Sequence, residues 1–435
     1  MTALATRTGA AQQLFPLAEQ LMGGRLPLRL RAWDGSLAGP DEAPVVVLRS
    51  RRALRRLVWQ PGELGLAQAY VTGELDIEGD LADGLRTVWG AVRSRGLRPP
   101  ELTLAQRGRA FRTALRLGAI GPRPAPPASQ ARLRGALHSR ARDRAAISHH
   151  YDLSNDFYAL LLDRTMAYSC GYWTSEKPGY VAEDAQRDKL ELICRKLGLR
   201  PGARLLDIGC GWGSLALYAA QEYQVRVTAV TLAREQAEYV GAQVEKRGLG
   251  DLVDVRLSDY RDIEGGGYDA VSTIEMGEHV GDAEYPGFTA TLYGMLRPAG
   301  RVLVQQMSRG AVAPGGGAFI EAYIAPDMHM RPLGETVSLL EGAGLEVRSV
   351  ESLREHYART VGAWLDTLEQ RWAEFSDLAG EETARVWRLY LAGGRLAFEE
   401  RRMGVDQILA VRPAGDGTSA MPGTPLDWYA EDGGR

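Results

Sequence analysis

Cysteine is scarce: three residues in 435, Cys170, Cys194 and Cys210. The number is odd and no CxxC spacing occurs. This argues against a disulfide framework or a cysteine zinc site and points to a reducing, cytoplasmic setting. No run of eighteen apolar residues occurs, so no transmembrane helix is expected. The first residues, MTALATRTGAAQQLFPLAEQL, lack a basic segment followed by an apolar one, so no secretory signal is read there. Lysine is also rare, with four residues (Lys177, Lys189, Lys196, Lys246) among 52 basic ones. What is present is ordinary for a globular chain: 45% hydrophobic and 25% charged, at a length that predicts two to three domains.

The arginines are unevenly spread. Between Ala91 and Ala145 there are 13, against the two acids Glu101 and Asp143, in a chain of net charge −3. A solvated basic linker explains such a run, and so does an anionic partner. Nucleic acid is disfavoured, because Trp89 and Phe111 are the aromatics at hand for base stacking. An anionic membrane leaflet fits better, at about 1 kcal/mol per basic residue near the surface.

Residues 1 to about 90 read as a small α+β unit. LPLRLRAWDGS alternates around a DG turn, PVVVLRS is a buried strand, and RRALRRLV is a basic amphipathic helix. A breaker cluster, GPRPAPPASQ at 121–130, marks an exposed linker. From about 147, apolar strands alternate with helical segments: 203–209, 225–231, 268–274, 300–307 and 345–350. That alternation predicts βαβ units around a parallel sheet. The tail after 413 is rich in Gly, Pro and acids and is expected to be disordered.

LLDIGCGWGSLALYAA is the most informative stretch. A strand ends at Asp207, a turn carries Gly209, Cys210, Gly211, Trp212 and Gly213, and a helix follows. Glycines there let backbone press against a ligand at a helix N-terminus. The pattern alone also admits a dinucleotide enzyme. However, the second strand ends in VTLAREQ, without an acid for a ribose diol, leaving Thr231, Leu232 and Gln236 as polar and backbone contacts. SDYRDIE, with Arg261 and Asp262, precedes the next strand as expected around an adenine. This order resembles the class I methyltransferases that bind S-adenosylmethionine.

The resemblance sharpens with HYDLSNDFYALLLDRTMAYSCGYW, which contains His150, Tyr168, Ser169 and Cys170, and with IEMGEHVG and LREHYARTVGAW. Together with DIGCGWG these motifs resemble the cyclopropane-fatty-acyl-phospholipid synthases and mycolic acid methyltransferases across 147–413. GELGLAQAYVTGELDIEGDL resembles the extra N-terminal domain of the phospholipid-acting members. The implied fold is α/β: a lipid-engaging α+β domain (1–120), a linker (121–146), a Rossmann-like methyltransferase domain (147–413) and a tail (414–435).

The resemblance implies methyl transfer from S-adenosylmethionine to a cis double bond of a phospholipid acyl chain, through a carbocation. It further implies a bicarbonate ion as the base that removes a proton, held by Cys170, Glu278, Tyr357 and a residue of GRVLVQQM. His150 is a further catalytic candidate. Each of these residues also has a purely structural explanation: Glu278 as a helix cap, Cys170 as a small buried hydrophobe in contact through its backbone, Tyr357 as core. At the strand position of the family's histidine stands Gln305, or Gln306 if the match slips by one. An amide cannot carry the proton. The altered site therefore leaves open a methylene-branched, tuberculostearic-type product, completed by a reductase partner. A homodimer at the inner face of the membrane is expected. The rivals are a lipid-binding protein with a vestigial fold and a methyltransferase of soluble metabolites.

Overall fold

The computed structural model describes residues 8–94, 103–131, 154–310 and 316–429. His150 and most of the basic stretch beyond Ala131 lie outside the described residues. The chain forms two compact units: residues 1–130 with Trp372–Leu396, and residues 131–371 with Ala397–Arg435.

The first unit holds a four-stranded sheet in the order β2-β1-β3-β4, from β1 (Arg29–Arg31), β2 (Leu37–Ala38), β3 (Val45–Leu48) and β4 (Leu75–Ile77). The basic helix forms over Arg51–Trp59, its first turn capped by the Ser50 side chain. Arg56, almost fully buried, pairs with Glu74 at 2.8 Å. The breaker cluster is tied down rather than free: Arg56 donates to the Ala125 carbonyl and the Trp59 indole to that of Gly121. Segment Trp372–Leu396 belongs here because Arg385 reaches Asp76 at 3.0 Å and Glu382 accepts from Ser129. This corrects the expected domain boundaries, which place the segment within the methyltransferase domain. Those partners are more than 250 residues away in sequence, which no local pattern reveals.

The second unit carries a seven-stranded sheet: β5 (Arg204–Ile208), β6 (Arg226–Thr231), β7 (Val253–Leu257), β8 (Tyr268–Ile274), β9 (Leu296–Ser308), β10 (Glu346–Ser352) and β11 (Gly404–Val411). The order is β10-β11-β9-β8-β5-β6-β7, with β11 antiparallel to its neighbours. Alternate side chains feed two cores. Leu205 of β5 packs on one face, Leu206 and Ile208 on the other. β5 lies between β6 and β8, so the chain leaves its carboxyl end at the point where strand order reverses. Open α/β sheets bind ligands at such points. The expected tail disorder does not hold for residues 414–429. Trp428 is buried in a core cluster, Tyr429 donates to Glu351, and Arg301 donates to the Ala420 carbonyl. Two large aromatics outweigh the polar composition around them. Among the described residues no helix is long and apolar enough to cross a membrane.

Candidate active site

A cleft, partly open to solvent, lies at the carboxyl ends of β5, β6 and β8. The glycine loop after β5 forms one wall. Gly209, Gly211 and Gly213 all have positive φ, a conformation that favours glycine. A Cβ on Gly209 would meet Met276 at 2.9 Å, whereas one on Gly211 would meet no protein atom within 4 Å. Tyr168, Ser169, Asp207, Gly209, Cys210, Gly211, Trp212, Thr231, Leu232, Gln236 and Arg261 line this one cleft. Gly213 and Asp262 do not. Gly213 caps the helix Ser214–Tyr223, and Asp262 lies in the short turn Tyr260–Asp262.

Asp207 is buried and accepts the Ser272 hydroxyl at 2.7 Å; burial pushes its carboxyl up to about 6. Lys189, buried, donates to Ser169 at 2.9 Å, and burial holds its ammonium below the usual lysine range. Also on the cleft wall, after β6, Thr231 donates to Gln236 at 2.7 Å. The Gln236 amide nitrogen is buried with no partner among the described residues. An orphaned donor at a cleft wall is a position for a ligand acceptor. The Asp207 carboxylate and Lys189 ammonium, with the amide, hydroxyl and guanidinium groups of Gln236, Thr231 and Arg261, fit the amino-acid and nucleoside halves of S-adenosylmethionine.

Three of the sequence candidates for the reacting end, Cys170, Gln305 and Tyr357, come together around Glu275, a residue of the IEMGEHVG stretch to which the sequence reading gives no role. It follows β8 directly, with φ +52. Its carboxylate accepts from the Cys170 backbone N–H at 2.8 Å, from the Gln305 amide at 2.8 Å and from the Tyr357 hydroxyl. Cys170 therefore takes part through its backbone; its thiol faces the Gly171 and Leu353 carbonyls. Glu278 is not among these partners and does not line the cleft. Buried in the turn Gly277–His279, it accepts the Met307 N–H at 2.5 Å. Burial first, then the negative charge of Glu275, pushes it up to about 8. Its neighbour His279 does line the cleft, and burial pulls it down to about 4. Gln305 and Gln306 point to opposite faces of the sheet, Gln306 bonding Tyr285 and Thr336, so Gln305 is the residue at the site.

Strand position is the signal that marks Glu275. The first residue beyond a parallel strand is as open to the crevice as the fourth, but the EHVG motif singles out the fourth. Lys189 is visible in the sequence only as one of four lysines. Tyr172 and Trp173 turn away from the cleft: Tyr172 stacks on His356, and the Trp173 indole donates to Thr360. Beside the cleft runs a line of rings: Trp212 and Tyr158 (4.3 Å between centroids), Tyr158 and Tyr168 (5.6 Å), Tyr168 and Trp364 (5.2 Å), Trp364 and Tyr357 (6.2 Å).

The groups named by the resemblance do not fit a separate bicarbonate ion. The Cys170 N–H, the Gln305 amide and the Tyr357 hydroxyl all donate to Glu275.

The sheet order and this cleft are those of a class I methyltransferase. The family model for mycolic acid cyclopropane synthetase matches residues 138–408. The chain is 39% identical over 420 residues to a probable fatty acid methyltransferase of Mycobacterium tuberculosis, covering 93% of this chain and 95% of that one. It is 32% identical to the cyclopropane-fatty-acyl-phospholipid synthase of Escherichia coli, over 83% and 86% of the two chains. A mycolic acid cyclopropane synthase solved with SAH and CTAB superposes with a TM-score of 0.58 at 29% identity, over 61% of this chain and 97% of that one. The chain belongs to the mycolic acid cyclopropane synthetase family and is an S-adenosylmethionine-dependent methyltransferase acting on lipids.

The Glu278 environment has a pH consequence. A carboxyl raised in the folded state contributes stability that is present below its unfolded value, near 4.5, and lost as pH passes about 8. The Met307 N–H and the Arg331 charge oppose the rise but do not cancel it. Wild-type protein is expected to lose on the order of a few kcal/mol from this group between pH 5 and 8. Glu278→Gln is expected to flatten that loss in thermal melts. Parallel melting curves for the two proteins over this range would contradict it.

Proposed function

We propose that the chain methylates a carbon of a cis double bond within an unsaturated phospholipid acyl chain. The observation that carries this reading is a carboxylate that accepts every hydrogen bond described for it, Glu275, at the wall of the cofactor cleft near the rings of Tyr168, Trp364 and Tyr357. Ring faces favour a cation, and a carboxylate can take a proton from one. When bound, S-adenosylmethionine supplies an electrophilic methyl group. Asp207 and Ser169 would hold its amino-acid end, and Gln236, Thr231 and Arg261 its nucleoside end. An alkene needs no base to become a nucleophile; it needs water kept out and the later proton taken up at a fixed place. The phospholipid class follows the name of the E. coli relative and the N-terminal resemblance.

Gln305 favours a second product, a methylene-branched chain formed when the cation shifts a hydride before losing its proton. A reductase partner would then saturate it. The test is incubation with unsaturated phospholipid vesicles and methyl-labelled cofactor, followed by mass spectrometry of the released acyl chains. The expected product carries one added carbon. Mild hydrogenation separates a methylene branch, which is reduced, from a cyclopropane, which mostly survives. Cofactor binding with no label in any acyl chain would refute the reading.

Access to such a substrate calls for a membrane surface. The helix Leu104–Arg116 presents Leu104, Phe111 and Leu115 on one stripe, each more than half exposed, flanked by Arg109, Arg112 and Arg116. A basic helix with an exposed apolar stripe lies in a lipid interface. Replacing these three arginines by Gln is expected to weaken binding to anionic vesicles by about 3 kcal/mol, on the order of a hundredfold. The effect should fade with salt. Equal wild-type binding to neutral and anionic vesicles at low salt would overturn the electrostatic part.

A further inference from the structure

We propose that Glu275 is itself the base of the reaction, a carboxylate built into the chain where the family resemblance calls for a bound bicarbonate. The inference rests on the methyl-transfer reading and names the group that completes it. A glutamate carboxylate and a bicarbonate ion share the same planar pair of oxygens. The donors assigned to the ion are the ones that Glu275 engages.

The hydrogen bonds present Glu275 to its neighbours as an acceptor. Lys196, 1% exposed, donates to the Gln407 side-chain oxygen at 2.8 Å. Gln407 donates through its amide nitrogen to the Gln305 oxygen at 2.9 Å, and Gln305 donates to Glu275 at 2.8 Å. A lysine can only donate, so each amide in turn must show its oxygen to the lysine side and its N–H to the next group. The chain has one polarity, and it ends on an acceptor. Strand register builds it: Gln407 of β11 lies opposite Gln305 of β9, and the Glu275 N–H bonds the Gln305 carbonyl at 2.6 Å. Gln305 serves this chain with one acceptor and one donor group; a neutral imidazole would offer the same pair only in the tautomer that turns its N–H toward Glu275.

The backbone adds an independent observation. A non-glycine residue in the left-handed region is strained by roughly 1–2 kcal/mol. Here that strain holds a carboxylate at the cleft wall. Burial raises the Glu275 carboxyl above the usual range, which makes it a better proton acceptor, and the hydrogen bonds from Tyr357, Cys170 and Gln305, with the Lys189 charge behind them, oppose the rise without cancelling it.

The step balances. Once the chain carbon has been methylated, its neighbour bears the positive charge. A C–H bond breaks, its proton goes to a Glu275 oxygen, and the electron pair closes the three-membered ring or forms the double bond. Glu275 is left neutral and returns its proton to solvent through the open side of the cleft.

The experiment compares wild type, Glu275→Gln and Glu275→Gly in buffer freed of carbon dioxide, with and without millimolar bicarbonate. Glycine suits φ +52, so the second variant should fold. Wild type is expected to turn over equally in both buffers. Both variants are expected to bind S-adenosylmethionine as wild type does and to lose about 10² or more in turnover. Bicarbonate or formate is expected to restore Glu275→Gly alone, because only there is the carboxylate's space vacated. Labelled bicarbonate followed by carbon NMR should bind Glu275→Gly and not wild type, a readout independent of turnover. A wild type that needs or binds bicarbonate, a fully active Glu275→Gln, or a Glu275→Gly that no carboxylate restores would each overturn the assignment. A wild type that labels no acyl chain refutes the methyl-transfer reading instead, and the NMR arm still decides whether the site holds a free anion.

Discussion

Gly211→Val is expected to abolish S-adenosylmethionine binding, a loss of at least about a hundredfold in affinity by titration calorimetry. Two effects add. The residue has φ +53, which a β-branched side chain adopts only with strain. Its missing Cβ points into open space at the cleft wall, so the valine methyls would occupy volume the ligand needs rather than press on protein. The fold should therefore survive the change better than binding does. Gly211→Ala is the graded control, with a smaller loss. Wild-type affinity in Gly211→Val would mean that the cofactor does not lie along this loop.

Lys196→Met is expected to lower stability by about 3 kcal/mol, read from denaturant unfolding, and turnover by about tenfold. The ammonium pairs with Glu351 at 2.5 Å, and removing one member of a buried pair leaves the other uncompensated. Burial pushes the Glu351 carboxyl up, but Lys196 together with the Tyr429 and Tyr172 hydroxyls holds it below the usual range. The Tyr172 and Tyr429 hydroxyls also donate to Glu351, which keeps the expected loss at the low end for such pairs. The turnover loss has a separate origin. Without a donor at its oxygen, Gln407 is free to rotate its amide, and the orientation passed on to Gln305 and Glu275 is no longer fixed. The double variant Lys196→Met/Glu351→Gln separates the two. It should recover much of the stability and little of the turnover. Recovery of both would show that the amide chain has no part in the reaction.

Much of the methyltransferase unit is legible in the sequence because its signals are local. The stretch 268–274 is β8 residue for residue, and 203–209 and 225–231 bracket β5 and β6 within a residue or two. Continuous apolar runs between helices mark strands buried on both faces, and the glycine turn after Asp207 marks the ligand loop. Two strands escape such a reading. β7, Val253–Leu257, is an edge strand with largely exposed residues, so it lacks an apolar run. β11 is fully buried after its first residue, but Asp406 and Gln407 interrupt its apolar pattern. Those polar residues are there for partners on other elements: Ser308 for Asp406, and Lys196 with Gln305 for Gln407.

Composition and motif thus determined the fold class and pointed to the cofactor loop, and the family resemblance implied a grouping of Cys170, Tyr357 and a residue of β9. Tertiary structure decided which carboxylate they serve. Glu275 and Glu278 are three residues apart after the same strand, and both stand where crevice residues are expected. What distinguishes them is a backbone angle and a register: the left-handed turn at Glu275, and the alignment of β9 with β8 and β11 that brings Gln305 to it. Tertiary structure also decided where Trp372–Leu396 belongs and that Trp428 is packed. Each depends on contacts between segments far apart in the chain, where an arginine or an indole finds a partner that its own neighbours in sequence do not reveal.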